Sequence, residues 1–304
     1  MKKVLFRADK NIYKANMHCH TTVSDGKHTP EQIKEMYKAR GYSIVAFTDH
    51  RNLVDRSFLN DNDFLAISGV EVNTNVMNES WVNTKTYHLN LYATKPDLPQ
   101  PPQMNDVDYH DINAVNKYIK DRVDEGFLVC YNHPYWSLQT YEEYKDLRNC
   151  FAMEIYNHGC ELEGYYGYNP QVFDEMLRTG NNIYCLSVDD NHNDWIDDSF
   201  GGFININSGS LEYGAIITAL KNGDFYASQG PEIYEITRDG NKIHVKCSEV
   251  SVIHLYTDGR KCYFKKGENI TEAEFEISGN ERYVRVMCRD ENKLDANSNA
   301  FWIN

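Results

Sequence analysis

A chain of 304 residues with 41% apolar, 25% charged and 13% aromatic side chains is too rich in core-forming residues to be disordered, and it fits one large domain or a main domain with an appendage. The balance of 31 Lys+Arg against 45 Asp+Glu leaves a net charge of −14, which repels phosphate backbones; with no clustered basic run, binding to long nucleic acids is excluded from the expected functions. No apolar stretch approaches the ~20 residues of a membrane span, the opening MKKVLFRADKNIYKAN lacks a signal-peptide core, and the eight Cys form no CxxC pair, so no membrane partner is expected and the expected setting is cytoplasmic, with reduced, mostly buried thiols.

In chain order, strands are predicted at Ala15–His18, Ser43–Thr48, Phe64–Val72, Tyr87–Ala93, Phe127–Asn132, Ala152–Tyr156 and Ile183–Val188. Helices are predicted between several of them. Pro30–Arg40 has Thr29 as N-cap, Pro30 in its first turn and Gly41 as its stop, while Asp111–Glu125, Pro170–Arg178 and Leu211–Asn222 end at Gly126, Gly180 and Gly223. Repeated strand–helix–strand order predicts an α/β fold on parallel strands. About seven strands, with no GxGxxG or GxxxxGK[ST] loop, favour a barrel over an open nucleotide-binding sheet. After Pro231 the texture changes to short alternating strands at Tyr234–Thr237, Lys242–Cys247, Val252–Thr257, Lys261–Lys266, Glu274–Ile277 and Arg282–Cys288. Residues 1–230 are therefore expected to form the barrel, and residues 231–304 a small antiparallel β appendage.

Chemistry-bearing residues cluster at the predicted strand ends. In NMHCHTTVSDG, His18 and His20 stand at i and i+2 and share a strand face, with Cys19 turned into the core and Asp25 on the following loop. IVAFTDH ends in Asp49 and His50, ISGVEVNT carries Glu71, YHLNLYA carries His88, LVCYNHP runs into His133, and IYCLSVDDNH ends in Asp190 and His192, again at i and i+2. A single histidine after a strand is usually structural, and an isolated Glu is usually solvated. Six of 11 His at strand ends, with three acids in similar places, point instead to a shared site at the carboxyl ends of the strands. Nine donors of mixed N and O type exceed the demand of one zinc and match two or three divalent ions. Such donors accept Zn, Mn or Fe. Asp49 is expected to orient an imbedded imidazole through its second nitrogen.

The order HxH and SDG, TDH, GVE, a strand His, NHP and DxH, spanning roughly residues 14–230, resembles the PHP (polymerase and histidinol phosphatase) superfamily. The resemblance implies a distorted (β/α)7 barrel and a metal-dependent phosphoesterase. It implies one metal on His18, His20, Glu71 and Asp190, a second on Asp25, His50 and His192, and a third on His88 and His133 with Glu71 bridging. LKNGDFYASQGPEI resembles the end of the module in stand-alone members that carry a small C-terminal β domain. The expected reaction is hydrolysis of a small phosphate ester by a metal-bound hydroxide, with Asp190, His192 and His158 as catalytic residues and His192, or else His158, as proton donor. Lys27, Arg51 and Asn157 are expected substrate contacts, against ordinary surface roles for each. An amidohydrolase-like esterase or carbamate hydrolase on the same metals, and a non-catalytic metal-stabilised binding module, are the alternatives.

Overall fold

The computed structural model describes residues 2–76 and 80–303. Its centre is built from strands β2 (Asn11–Asn16), β3 (Ile44–Phe47), β4 (Leu65–Asn75), β5 (Thr86–Ala93), β6 (Phe127–Tyr131), β7 (Ala152–Asn157) and β8 (Tyr184–Val188), hydrogen-bonded in that order after a first strand β1 (Lys2–Arg7) that lies elsewhere. Helices α1 (Pro30–Lys38), α2 (Ile112–Asp124), α3 (Tyr141–Tyr144), α4 (His158–Gly164) and α5 (Pro170–Arg178) fall in the connections. Thr29 caps α1 in a full capping box with Gln32, and Asp111 caps α2 by accepting from the N–H groups of Asn113 and Ala114.

The expected parallel order holds for β2–β3–β4 and for β6–β7–β8, but β5 runs antiparallel to both of its neighbours. The cause is a short connection. Residues 76–85 separate β4 from β5, fewer than the dozen or so that a parallel crossover needs. The ring closes at the carboxyl ends of β2 and β8, where the His20 N–H donates to the Asn191 carbonyl at 3.1 Å and the Asp190 N–H to the His18 carbonyl at 3.0 Å. Further down, β9 (Phe203–Ser208) pairs antiparallel with β2; after helix α6 (Tyr213–Asn222) the chain returns as β10 (Phe225–Ser228) beside β9, and β8 packs against both.

Strands β11 (Ile233–Asp239), β12 (Lys242–Thr257), β13 (Tyr263–Glu276), β14 (Tyr283–Arg289), β15 (Asp295–Ser298) and β16 (Phe301–Trp302) make the antiparallel C-terminal layer. The segments 242–247 and 252–257 are one long strand, β12, whose register against β13 shifts around Val250; the polar SEVS stretch reads as a break in sequence but is spanned as an irregularity. β15 pairs with both β14 and β10, so one hydrogen-bonded path joins the appendage to the barrel, and β1 lies against β11 as a member of the C-terminal sheet. One apolar cluster fills the barrel and its helices, a second lies within the C-terminal layer and takes in Phe6, and a third packs α1 through Ile33 and Tyr37 against Cys19 and Phe47. All eight cysteines are free, and only Cys262 is partly exposed. Among the described residues, no helix is long and apolar enough to cross a membrane.

Candidate metal centre

The strand alternation that exposes the sequence signal also builds the site. On β4, Glu71, Asn73 and Asn75 share one face, and across the ladder His88 stands opposite Asn73 on β5. His50 follows β3 and bridges to Glu71, while His18 and His20 follow β2 at the point where the barrel closes on Asp190–Asn191. Three candidate site residues have positive φ, Arg51 at 61°, His133 at 21° and Asp190 at 57°. Backbone of that kind costs about 1–3 kcal/mol in a non-glycine residue and persists where the surroundings fix it.

All nine expected donors converge. Glu71 is the hub. Its Oε1 lies 2.9 Å from His88 Nδ1, 3.5 Å from His18 Nε2 and 3.5 Å from His133 Nε2, and its Oε2 lies 3.0 Å from His50 Nδ1 and 3.4 Å from His20 Nε2. Asp190 Oδ1 lies 3.1 Å from His18 Nε2 and 3.2 Å from His20 Nε2. Asp25 reaches His20, His50 and His192 at 3.5–3.6 Å. Three sets bring donor atoms within 4.8 Å of one another: His20, Asp25, His50 and His192; His18, Glu71 and His133; His18, His20 and Asp190. His18 and His20 are thus each shared between two sets, whereas the sequence expectation placed each in one.

The electrostatics describe a cluster that wants cations. Burial would raise the carboxyls of Glu71 and Asp190, yet the surrounding imidazoles, His88 and His18 foremost for Glu71 and His18 for Asp190, hold both below the usual carboxylate range. Burial likewise works against charge on His18, but Asp190, Glu154 and Glu71 outweigh it and lift that imidazole well above its ordinary value. His20, buried and crowded by His192 and His50, falls to about 4. The donor chemistry fits divalent ions, and one atom tests the fit. Asp190 Oδ1 is buried with no hydrogen-bond partner while its neighbours are imidazole nitrogens. A buried carboxylate oxygen without a donor is costly, and a cation held by the same nitrogens removes that cost.

Behind the donors lies a layer that sequence reading missed. Glu154, fully buried in the middle of β7, accepts from the His133 and Asn157 side of the site through Oε2 and pairs its Oε1 with His18 Nδ1 at 2.7 Å. Asn132 Nδ2 donates to Glu71 Oε1 at 2.8 Å, and Ser137 Oγ stands 3.1 Å from His133 Nδ1. Asp49 takes a different role from the one expected. It orients no imidazole; its carboxylate accepts from Thr21 N, Thr21 Oγ1, Ser24 Oγ and the buried Arg56 guanidinium, which fixes the loop carrying His20 and Asp25. Asp189, next to the donor Asp190, accepts from the N–H groups of Phe200, Gly201 and Gly202 and from the Tyr37 hydroxyl.

A cavity of about 720 Å³ opens onto the donors Asp25, Glu71, His88, His133, Asp190 and His192, and Arg51 stands in its wall. Lys27 is exposed outside this lining, with its backbone N–H bonded to the His192 carbonyl. Asn157 is buried and its amide is spent internally, on Glu154 and Asp190 and as the N-cap acceptor for Cys160, which leaves nothing for a substrate. His158 turns away from the cavity, its Nδ1 at 2.9 Å from the Tyr156 hydroxyl and its ring pressed against Gly201. In both cases the start of α4, absent from the sequence expectation, redirects the side chains.

Among solved structures, a two-domain protein containing a predicted PHP-like metal-dependent phosphoesterase from Bacteroides vulgatus ATCC 8482 is similar over 99% of this chain and 97% of its own, at 16% identity and a TM-score of 0.50. An amidohydrolase from Chromobacterium violaceum, with bound sulfate and no metal, is similar over 59% of this chain and 87% of its own, at 14% identity and a TM-score of 0.37. No curated protein matches. The PHP domain family matches residues 16–194, a span that contains every one of the nine donors. The chain belongs to the PHP domain family.

Proposed function

We propose that this protein is a metal-dependent phosphoesterase that hydrolyses a small phosphomonoester with two or three divalent ions, Zn, Mn or Fe, held by His18, His20, Asp25, His50, Glu71, His88, His133, Asp190 and His192. The observation that carries the reading is the convergence of these donors around Glu71 and Asp190, whose Oδ1 has no hydrogen-bond partner, beside an open cavity. Ions bound there supply Lewis acidity and an acidified water. The chain's own groups do the rest. Arg51 offers a planar guanidinium to the phosphoryl oxygens from the cavity wall. His192, in the same wall, donates its Nδ1–H to the Asp190 carbonyl at 3.0 Å, which leaves Nε2 as the lone pair that would join Asp25, His20 and His50 around an ion. Glu154 and Asn132 hold His18 and Glu71 in place. In this reading residues 1–230 carry the chemistry and residues 231–304 form the appendage, with β1 lent to its sheet. Arg51 favours a phosphoryl over a carbonyl centre.

The test is His18→Ala and Asp190→Ala, with metal analysis and an aryl-phosphate assay. Both variants are expected to lose metal and at least ~10²-fold in turnover, the scale of a disrupted metal or charge-stabilising group. Full metal content and turnover in both defeat the site assignment. Cleavage of aryl carboxyl esters or carbamates in place of aryl phosphates moves the chain to the esterase reading.

A further inference from the structure

The chemistry proposed above uses the floor of the cavity, and its outer wall is made by other side chains. Glu163 and Asp194 stand there, both exposed, and among the described residues neither forms an ion pair with Lys or Arg. Glu163 instead accepts from Trp136 Nε1 at 2.6 Å, which holds that indole edge-on to His133 at a ring separation of 5.1 Å. A third acid, Asp198, is occupied by the N–H groups of His192 and Asn193. Trp195, at the tip of the loop that Asp198 and Asp189 anchor, is 70% exposed and yet lines the cavity. Arg51 is the one Lys or Arg in the lining among the described residues.

The charges on the two levels differ. Divalent ions on the floor offset Asp25, Glu71 and Asp190, and one phosphoryl group meets both those ions and Arg51. Among the described residues the lining holds no Lys or Arg besides Arg51 for a second anion, which would face Glu163 and Asp194. A cleft of this volume keeps any ligand within about one Debye length, ~8 Å at physiological ionic strength, of its walls, so the repulsion is only partly screened. An exposed indole beside polar groups is, in contrast, a surface suited to a flat apolar or cationic group. Resting on the phosphoesterase reading, we propose that the alcohol part of the substrate carries no second anionic group and lays an apolar face on Trp195. Bisphosphates, nucleoside polyphosphates and carboxylated phosphoesters are then selected against by Glu163 and Asp194.

The experiment compares phenyl phosphate, 4-(aminomethyl)phenyl phosphate and 4-carboxyphenyl phosphate on the metal-loaded protein, together with binding of the matching non-hydrolysable phenylphosphonate and 4-carboxyphenylphosphonate by calorimetry. The carboxylated ester is expected to have kcat/KM lower by about tenfold, as two like charges across a partly solvated cleft require, and the gap is expected to shrink as salt is added. In the double variant Glu163→Gln, Asp194→Asn the discrimination is expected to fall several-fold, and Trp195→Ala is expected to raise KM for the phenyl ester more than it lowers kcat. Equal or reversed preference between phenyl and carboxyphenyl compounds overturns the proposal, as does a preference the double variant leaves unchanged. Absence of turnover with all three esters and all three metals defeats the phosphoesterase reading by itself; the order of phosphonate binding then decides this one, supporting it if the uncharged ring binds more tightly and overturning it otherwise.

Discussion

Two adjacent pairs show how one residue step decides a side chain's work. In TDH, Asp49 is buried under the loop of Thr21, Ser24 and Arg56 while His50 faces Glu71; in VDDNH, Asp189 gathers backbone N–H groups while Asp190 faces the imidazoles. Burial lifts the Asp189 carboxyl to about 6 against the pull of Gly202 N–H and the Tyr37 hydroxyl. A carboxyl whose folded value is raised favours the fold below its unfolded value near 4, and that contribution is lost as pH rises through 6. A carbon-detected NMR titration is expected to place the Asp189 midpoint near 6; an ordinary aspartate midpoint would mean that its four hydrogen-bond donors outweigh burial. For Glu154, Glu154→Gln is expected to weaken metal binding by about 10–100-fold with the far-UV spectrum unchanged, and metal titration checks it. Of the proposed donors, His18, His20, Asp190 and His192 stand out in the sequence as HxH and DxH, a local pattern, whereas Asp25, Glu71, His88 and His133 lean on the order of motifs that resembles the family. Glu154 was not legible, since an acid within AMEIYN gives no sign that its partner His18 lies 136 residues away. The same holds for Asn157, whose role as a cap appears only with α4.

At the level of elements, the strands that end in donors were readable and those that only fill gaps were not. β9 was missed because Asn205 and Asn207 interrupt its isoleucines, and Asn is disfavoured in strands. In the fold their amides are satisfied, Asn205 by the Tyr226 hydroxyl at 2.7 Å and Asn207 by the Arg7 carbonyl at 2.9 Å. The reversal of β5 was hidden for another reason, since apolar alternation does not encode strand direction. The loop between β2 and α1 depends on Gly26, where an added Cβ would stand 2.4 Å from the His20 carbonyl oxygen. Gly26→Ala is therefore expected to push the Asp25 segment off His20, at a cost of about 1–3 kcal/mol in stability and with loss of one metal, read by denaturant unfolding and metal analysis. Wild-type metal content in that variant would show that the loop adapts.

Across the whole molecule, barrel and appendage are joined by more than a shared sheet. Arg285 on β14 is fully buried and makes a bidentate pair with Asp174 on α5, at 2.7 and 2.8 Å, beneath the ring of Tyr256. Asp174→Ala leaves that guanidinium buried without its partner and is expected to cost about 3–5 kcal/mol, measured by urea unfolding; replacing both partners with apolar residues is expected to recover much of the loss. The strand β1 has a different consequence, one of timing. Lys2 pairs with Asp239 and Arg7 with Glu235, so during synthesis this strand meets its partner only after the barrel strands have been made. At roughly 5–20 residues per second that wait is on the order of ten seconds or more, during which β1 is an unpaired edge open to other nascent chains. Its exposed Lys2 and Lys3 are the kind of residues that keep such an edge from pairing wrongly, first during synthesis and then in the finished fold, where β1 stays at the end of the strand order.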